Sequence, residues 1–199
     1  MTINLSKKLP IAGIDYWPDA ADWVEPLTEP PTPPSLIWQA LLFLVVFAAL
    51  QVSWLLLRDN NIGHFIRGDV TVKPAVMLIN WLSPQIHATA FGNQILANGG
   101  GLVIKLGCEG VEALFILIAA FVTAPLSRAA MLKGILVGTL FVYGFNQLRI
   151  LVLFYTFRSD KALFSLLHNT IAPLALIGLA GVFFYLWLAK YGKQVQVVT

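Results

Sequence analysis

The chain has a single cysteine, three histidines and few charges, and each shortage closes off a class of function. One cysteine rules out an intramolecular disulfide and a cysteine-based zinc site. The histidines, His64, His87 and His168, show no metal-ligand spacing. Charged residues make up 12% of the chain, against about 25% in soluble domains. The 13 lysines and arginines, for a net charge of +3, are scattered between hydrophobic runs. No basic patch interleaved with aromatics exists, which speaks against nucleic-acid binding. A basic start followed by an early apolar core is missing too, so no cleavable signal peptide is expected. In its place stands the acidic, proline-rich "WPDAADWVEPLTEPPTPP", read as part of a disordered tail over 1–35.

What the chain has in excess is apolar surface, with 58% hydrophobic residues and a mean hydropathy of +0.77. Runs of roughly 20 apolar residues match the thickness of a bilayer. The expected fold class is an all-α integral membrane protein with about four transmembrane helices. The first is Leu36–Leu57, with Trp38 and Trp54 placed as interfacial anchors. The others are Val111–Leu126, which Pro125 closes, Ala130–Phe157 and Ile171–Ala189. Between the first two, 58–107 is expected to form an outer-face segment. Within it, 74–83 reads as an interfacial or re-entrant helix, and 91–107 as a small β-hairpin turning at "NGG". Residues 108–190 then form a three-helix membrane core, and 191–199 a C-terminal tail.

Alternation of the last three spans brings three chemically capable residues to one membrane face. These are Cys108 at the start of the second span, Arg149 in the last third of the third, and His168 just before the fourth. Lysines and arginines divide six against six between the two faces, so their count alone sets no orientation. The short loop 127–133 and the C-terminal flank favour a cytoplasmic N-terminus.

Arg149 lies on the order of 10 Å inside its span, where a charge usually faces a bundle interior or a water-filled cavity. Snorkelling to the interface, or a structural pair with Glu112, is the alternative. Asn146 shares its helical face, and either orients the guanidinium or bonds between helices. A lone Cys108 is by itself a small apolar filler. Gly107 and Gly110 beside it leave the backbone open to a substrate, and a helix N-terminus lowers a thiol's pKa. His168 is an interface histidine alone and a general base when paired with a thiol. His64 and His87 have no partner signal.

"GCEGVEA" (107–113), "NQLRI" (146–150) and "LFSLLHN" (163–169) occur in this order, each leading into or closing a hydrophobic span. The arrangement resembles the exosortase/archaeosortase family of membrane transpeptidases and proteases. The resemblance, over roughly 70–190, implies Cys108 as nucleophile, His168 as general base and acid, and Arg149 as stabilising cation. Asn146 takes the place of the family's asparagine, and Glu109, Glu112, Gly107 and Gly110 are candidate supporting or substrate-binding residues. It further implies no metal or organic cofactor, and a location in the bacterial inner membrane with the site on the periplasmic face. The implied partners are exported proteins whose C-terminal sorting tail joins a short motif, a transmembrane helix and a basic cluster. The chain departs from the family in two respects. Larger members have more spans, and Glu109 stands where many members carry a small residue. Short length and "GCEGVEA" lean toward the exosortase H branch, which is paired with IPTL-type tails. A rival reading is a non-catalytic membrane subunit or small transporter built on Arg149 and Glu112. A second rival is an acyltransferase that carries its acyl group on Cys108.

Overall fold

A computed structural model describes residues 35–105 and 107–192. The expected N-terminal tail, apart from Ser35, and most of the C-terminal tail lie outside the described residues. The described chain is mostly helical. Helix α1 (Leu36–Leu57) starts at Ser35, whose Oγ accepts a hydrogen bond from the Trp38 N–H at 3.3 Å. Most of its side chains are exposed, Leu36, Leu44, Val45 and Leu56 among them, while Trp54 is buried. The helix is apolar all round and long enough to cross a membrane.

The polar stretch after α1 is itself helical. Helix α2 (Asn61–Phe65) runs through a π-helical segment, Ile66–Val72, into α3 (Lys73–Leu82). The expected interfacial helix at 74–83 is thus the last part of a longer helical segment. The widened π turn leaves backbone carbonyls open to outside donors. Val70 O accepts the Tyr143 hydroxyl at 3.0 Å, and Gln147 Nε2 lies 3.5 Å from the carbonyls of both Val70 and Thr71.

Asn80 then clamps the exit from α3, bonding both the N–H and the C=O of Ala88 at 2.8 Å. The chain enters a three-stranded antiparallel sheet of β1 (Thr89–Phe91), β2 (Gln94–Leu96) and β3 (Leu102–Val103). The expected hairpin is the β2–β3 pair, and its "NGG" turn holds Gly99 and Gly100 at φ +81° and +125°. The sequence reading missed β1, which pairs with β2 across Gly92 and Asn93.

Helix α4 (Val111–Thr123) has 13 residues, about 20 Å, and ends two residues before Pro125. That is shorter than the span expected over 111–126 and short of a hydrocarbon core of about 30 Å. Helix α5 (Arg128–Ser159) has 32 residues, about 48 Å, more than a bilayer core requires. Asp160 stops it and caps α6 (Lys161–Leu166) by accepting from the Ala162 and Leu163 N–H groups. A second π-helical segment, Leu167–Ile171, joins α6 to α7 (Ala172–Tyr191), so 161–191 is one helical run. Among the described residues, three helical runs are therefore long and apolar enough to cross a membrane: Leu36–Leu57, Arg128–Ser159 and Lys161–Tyr191.

Helix α5 belongs to two cores. Its C-terminal half, through Ile150, Leu153 and Phe154, packs with Val76 and Ile79 of α3, Ile95 and Leu102 of the sheet, and Cys108. Its N-terminal half packs with α4 and α7 around Leu117, Phe121, Val142 and Ala180. Two glycines four residues apart, Gly134 and Gly138, permit that second approach. A Cβ on Gly134 would lie 2.4 Å from Phe121 Cε1, and one on Gly138 would lie 2.6 Å from Leu117 Cδ2. Small residues at this spacing let membrane helices come close. Gly134→Leu is expected to destabilise the fold by about 1–3 kcal/mol through overpacking, read as a lower melting temperature in detergent.

Candidate active site

The site centres on the loop Gly107–Gly110, which lies between the sheet and α4 and alongside α5. Gly107 and Gly110 both take left-handed backbone, at φ +87° and +79°, where a side chain would be strained. Gly110 is constrained twice, because a Cβ there would sit 2.9 Å from Asn146 Cγ. Its missing side chain therefore makes room for Asn146, and not for a substrate as the sequence suggested.

Helix α5 holds the loop by its carbonyls. Buried Asn146 donates from Nδ2 to Cys108 O at 3.1 Å, and Arg149 donates from Nη1 to Gly107 O at 3.3 Å. Asn146 thus positions the cysteine's backbone, as a structural hydrogen bonder, and among the described residues it makes no hydrogen bond to Arg149. Cys108 N–H donates to Lys105 O at 3.0 Å. Arg149 Nε is buried and has no hydrogen-bond partner among the described residues. Arg149 lies ten residues, about 15 Å, before the end of an over-long helix.

Cys108 Sγ lies 3.8 Å from His168 Nδ1, across 60 residues of sequence. His168 is carried on the second π turn, inside the helical run and not ahead of it, and its ring stacks on Phe164 at 5.3 Å between centroids. For Nδ1 to receive the thiol proton it must be the bare nitrogen, which places the ring proton on Nε2. Burial pushes the Cys108 thiol above its ordinary pKa; Arg149 pulls it down, and Glu109 and Glu112 push it up. The lowering expected from the helix N-terminus is overturned, since desolvation outweighs every favourable influence on the thiolate.

Glu109 is almost fully buried. Its Oε2 accepts the Gly107 N–H at 2.7 Å, and its Oε1 lies 3.9 Å from Nη1 of Arg67, also buried. Arg67 is fixed in turn by donating from Nη2 to Arg58 O at 2.7 Å. Burial raises the Glu109 carboxyl above its ordinary pKa; the Gly107 N–H and Arg67 act against it. Glu112 on the first turn of α4 stands by the same loop, with Oε1 3.9 Å from the position of a Gly107 Cβ. Among the described residues the ion pairs within 4.0 Å are Arg58–Asp59, Arg67–Glu109 and Lys73–Asp69, so Arg149 and Glu112 are not paired.

His64 and His87 are exposed and lie outside this cluster. Among the described residues no three His, Cys, Asp or Glu side chains gather as metal ligands. A mainly apolar cavity of about 600 Å³ between α1, the first π segment, α4 and α5 reaches Glu109 and Gly110 at its wall. The sequence reading missed Arg67, Tyr143 and Gln147. Gln147 adjoins Asn146 in "NQLRI", but Arg67 carried no signal beyond being a charge in a polar segment.

The chain matches no family model, no curated protein and no solved structure.

Proposed function

We propose that this chain is an exosortase-like cysteine peptidase or transpeptidase of the bacterial inner membrane, acting at the periplasmic face on C-terminal sorting tails. The observation that carries the reading is the approach of Cys108 Sγ to His168 Nδ1 at 3.8 Å, beside Arg149. A thiol, an imidazole and a cation on separate elements are the parts that acyl transfer through sulfur needs. In the proposed reaction His168 takes the proton from Cys108, and the thiolate attacks the carbonyl of the tail's motif. Arg149 stabilises the negative charge on sulfur and then on the carbonyl oxygen. Collapse breaks the C–N bond, His168 delivers the proton to the leaving amine, and a thioester on Cys108 remains. Water or an acceptor nucleophile resolves it, its proton returning through His168. The long apolar helices offer the surface on which the tail's own membrane helix docks.

The test is co-expression of the chain with a reporter that bears a motif, a transmembrane helix and a basic cluster. The expected result is a shortened reporter on immunoblot, together with a Cys108 adduct that neutral hydroxylamine releases as a thioester. An adduct with the mass of a lipid acyl group would instead support the acyltransferase reading. An unshortened reporter in cells that hold folded enzyme defeats the proposal.

A further inference from the structure

We infer that Glu109 is a positioning residue for the Cys108 thiol, anchored by Arg67 and acting through the backbone of Gly107. The inference rests on the cysteine-acyl-transfer reading for its consequence in catalysis, though not for its effect on the thiol itself. The four backbone groups of Gly107 and Cys108 are all held by partners. The Gly107 N–H goes to Glu109 Oε2, Gly107 O to Arg149, the Cys108 N–H to Lys105 O, and Cys108 O to Asn146. Three of these partners come from α5 or from the preceding loop. Among the described residues, Glu109 makes the loop's ion pair to the first π segment, through Arg67.

A carboxylate so deeply buried is costly unless hydrogen-bonded and paired. Its presence two residues past Gly107 is therefore hard to account for as filler. A small side chain at 109 would leave the Gly107 N–H without this acceptor, and Arg67 without its anion. The peptide plane that carries the Gly107 N–H would then lose its tie, and the aim of Sγ at His168, one residue further on, would loosen. The clamp also sets the field around the sulfur. The charged or titratable groups that face Cys108 are Glu109 in the loop, Glu112 on α4, Arg149 on α5 and His168 on the second π segment, with Lys105 close by. Glu109 is the anion among them that is also a structural tie.

The test uses the whole protein and its lone cysteine, so alkylation by iodoacetamide reports on Cys108 alone. Glu109→Gln keeps shape but removes charge, and the alkylation midpoint is expected to move to lower pH. Reporter processing by the same variant is expected to fall on the order of 100-fold, as for a misplaced reacting group. Glu109→Asp keeps the charge and loses the reach, so processing falls while the midpoint stays near wild type. Arg67→Met combined with Glu109→Gln is expected to be no worse than Glu109→Gln alone, because the two act as a unit. An unmoved midpoint in Glu109→Gln overturns the inference, as does processing at the wild-type rate. If wild type processes no reporter but the midpoint still moves, the sorting reading fails while the influence of Glu109 on the thiol stands.

Discussion

Cys108→Ala is expected to abolish reporter processing, by at least about 10³-fold, while the protein still folds and inserts. In the proposed mechanism the nucleophile cannot be replaced, since the chain has no other thiol and His168 Nδ1 faces this one. The loop should survive the change, because Asn146 and Lys105 grip the backbone of Cys108, which alanine retains. Thermal melting and membrane extraction would confirm this, with a small loss from the buried thiol's packing. His168→Gln should then lower processing by about 10²–10⁴-fold, the range for losing a general acid–base group. The transporter reading makes the opposite statement, with Cys108→Ala harmless. Because burial holds the thiol above its ordinary pKa, alkylation of the resting protein should be slow at neutral pH and keep rising into alkaline solution. In the proposed mechanism, turnover near neutrality then depends on His168 taking the proton as the substrate arrives.

The apolar spans were readable because length and hydropathy are local properties, and α1 runs over the residues expected of it, Leu36–Leu57. The ordered motif was readable as well, since Cys108, Arg149 and His168 each stand out by type against an apolar background. What escaped was tertiary. "DNNIGHFIRGDV" gives little helical signal, with glycines at 63 and 68, yet it folds as α2 and a π segment because α5 supplies donors to its carbonyls. Strand β1 follows a left-handed His87, which no turn rule for Asn or Gly anticipates. Helix α4 came out shorter than the hydropathy of 111–126 suggested because the chain turns extended at Ala124, ahead of Pro125. Glu109 is the clearest case. It looked like a misfit beside the nucleophile, and only the position of Arg67, 42 residues earlier, gives its carboxylate a purpose. The glycines of "GCEG" were read as openness for a substrate. Their left-handed backbone, and the fit of Gly110 against Asn146, make them conditions of the loop's own shape.

Arg149→Gln is expected to lower processing by about 10²–10³-fold, the scale of removing one stabilising donor from a developing oxyanion. It should also move Cys108 alkylation to higher pH, since Arg149 is the strongest influence that favours the thiolate. Arg149→Lys separates the two contributions. Lysine keeps a positive charge near the sulfur, so the alkylation midpoint should stay close to wild type. It cannot reproduce the planar guanidinium, in which Nη1 binds Gly107 O while Nε remains an unpartnered donor. Processing by Arg149→Lys should therefore remain impaired despite the retained charge, more active than Arg149→Gln but about tenfold or more below wild type, the scale of one charge-assisted hydrogen bond. Full recovery in Arg149→Lys would mean that Arg149 acts as a point charge and that the free Nε has no role. Wild-type processing in Arg149→Gln would remove the cation from the mechanism altogether. Because the Gly107 carbonyl loses its partner in both variants, Glu109→Gln in the Arg149→Gln background should add little further loss. The two side chains grip the two faces of one residue, and releasing either one frees the loop that carries the sulfur.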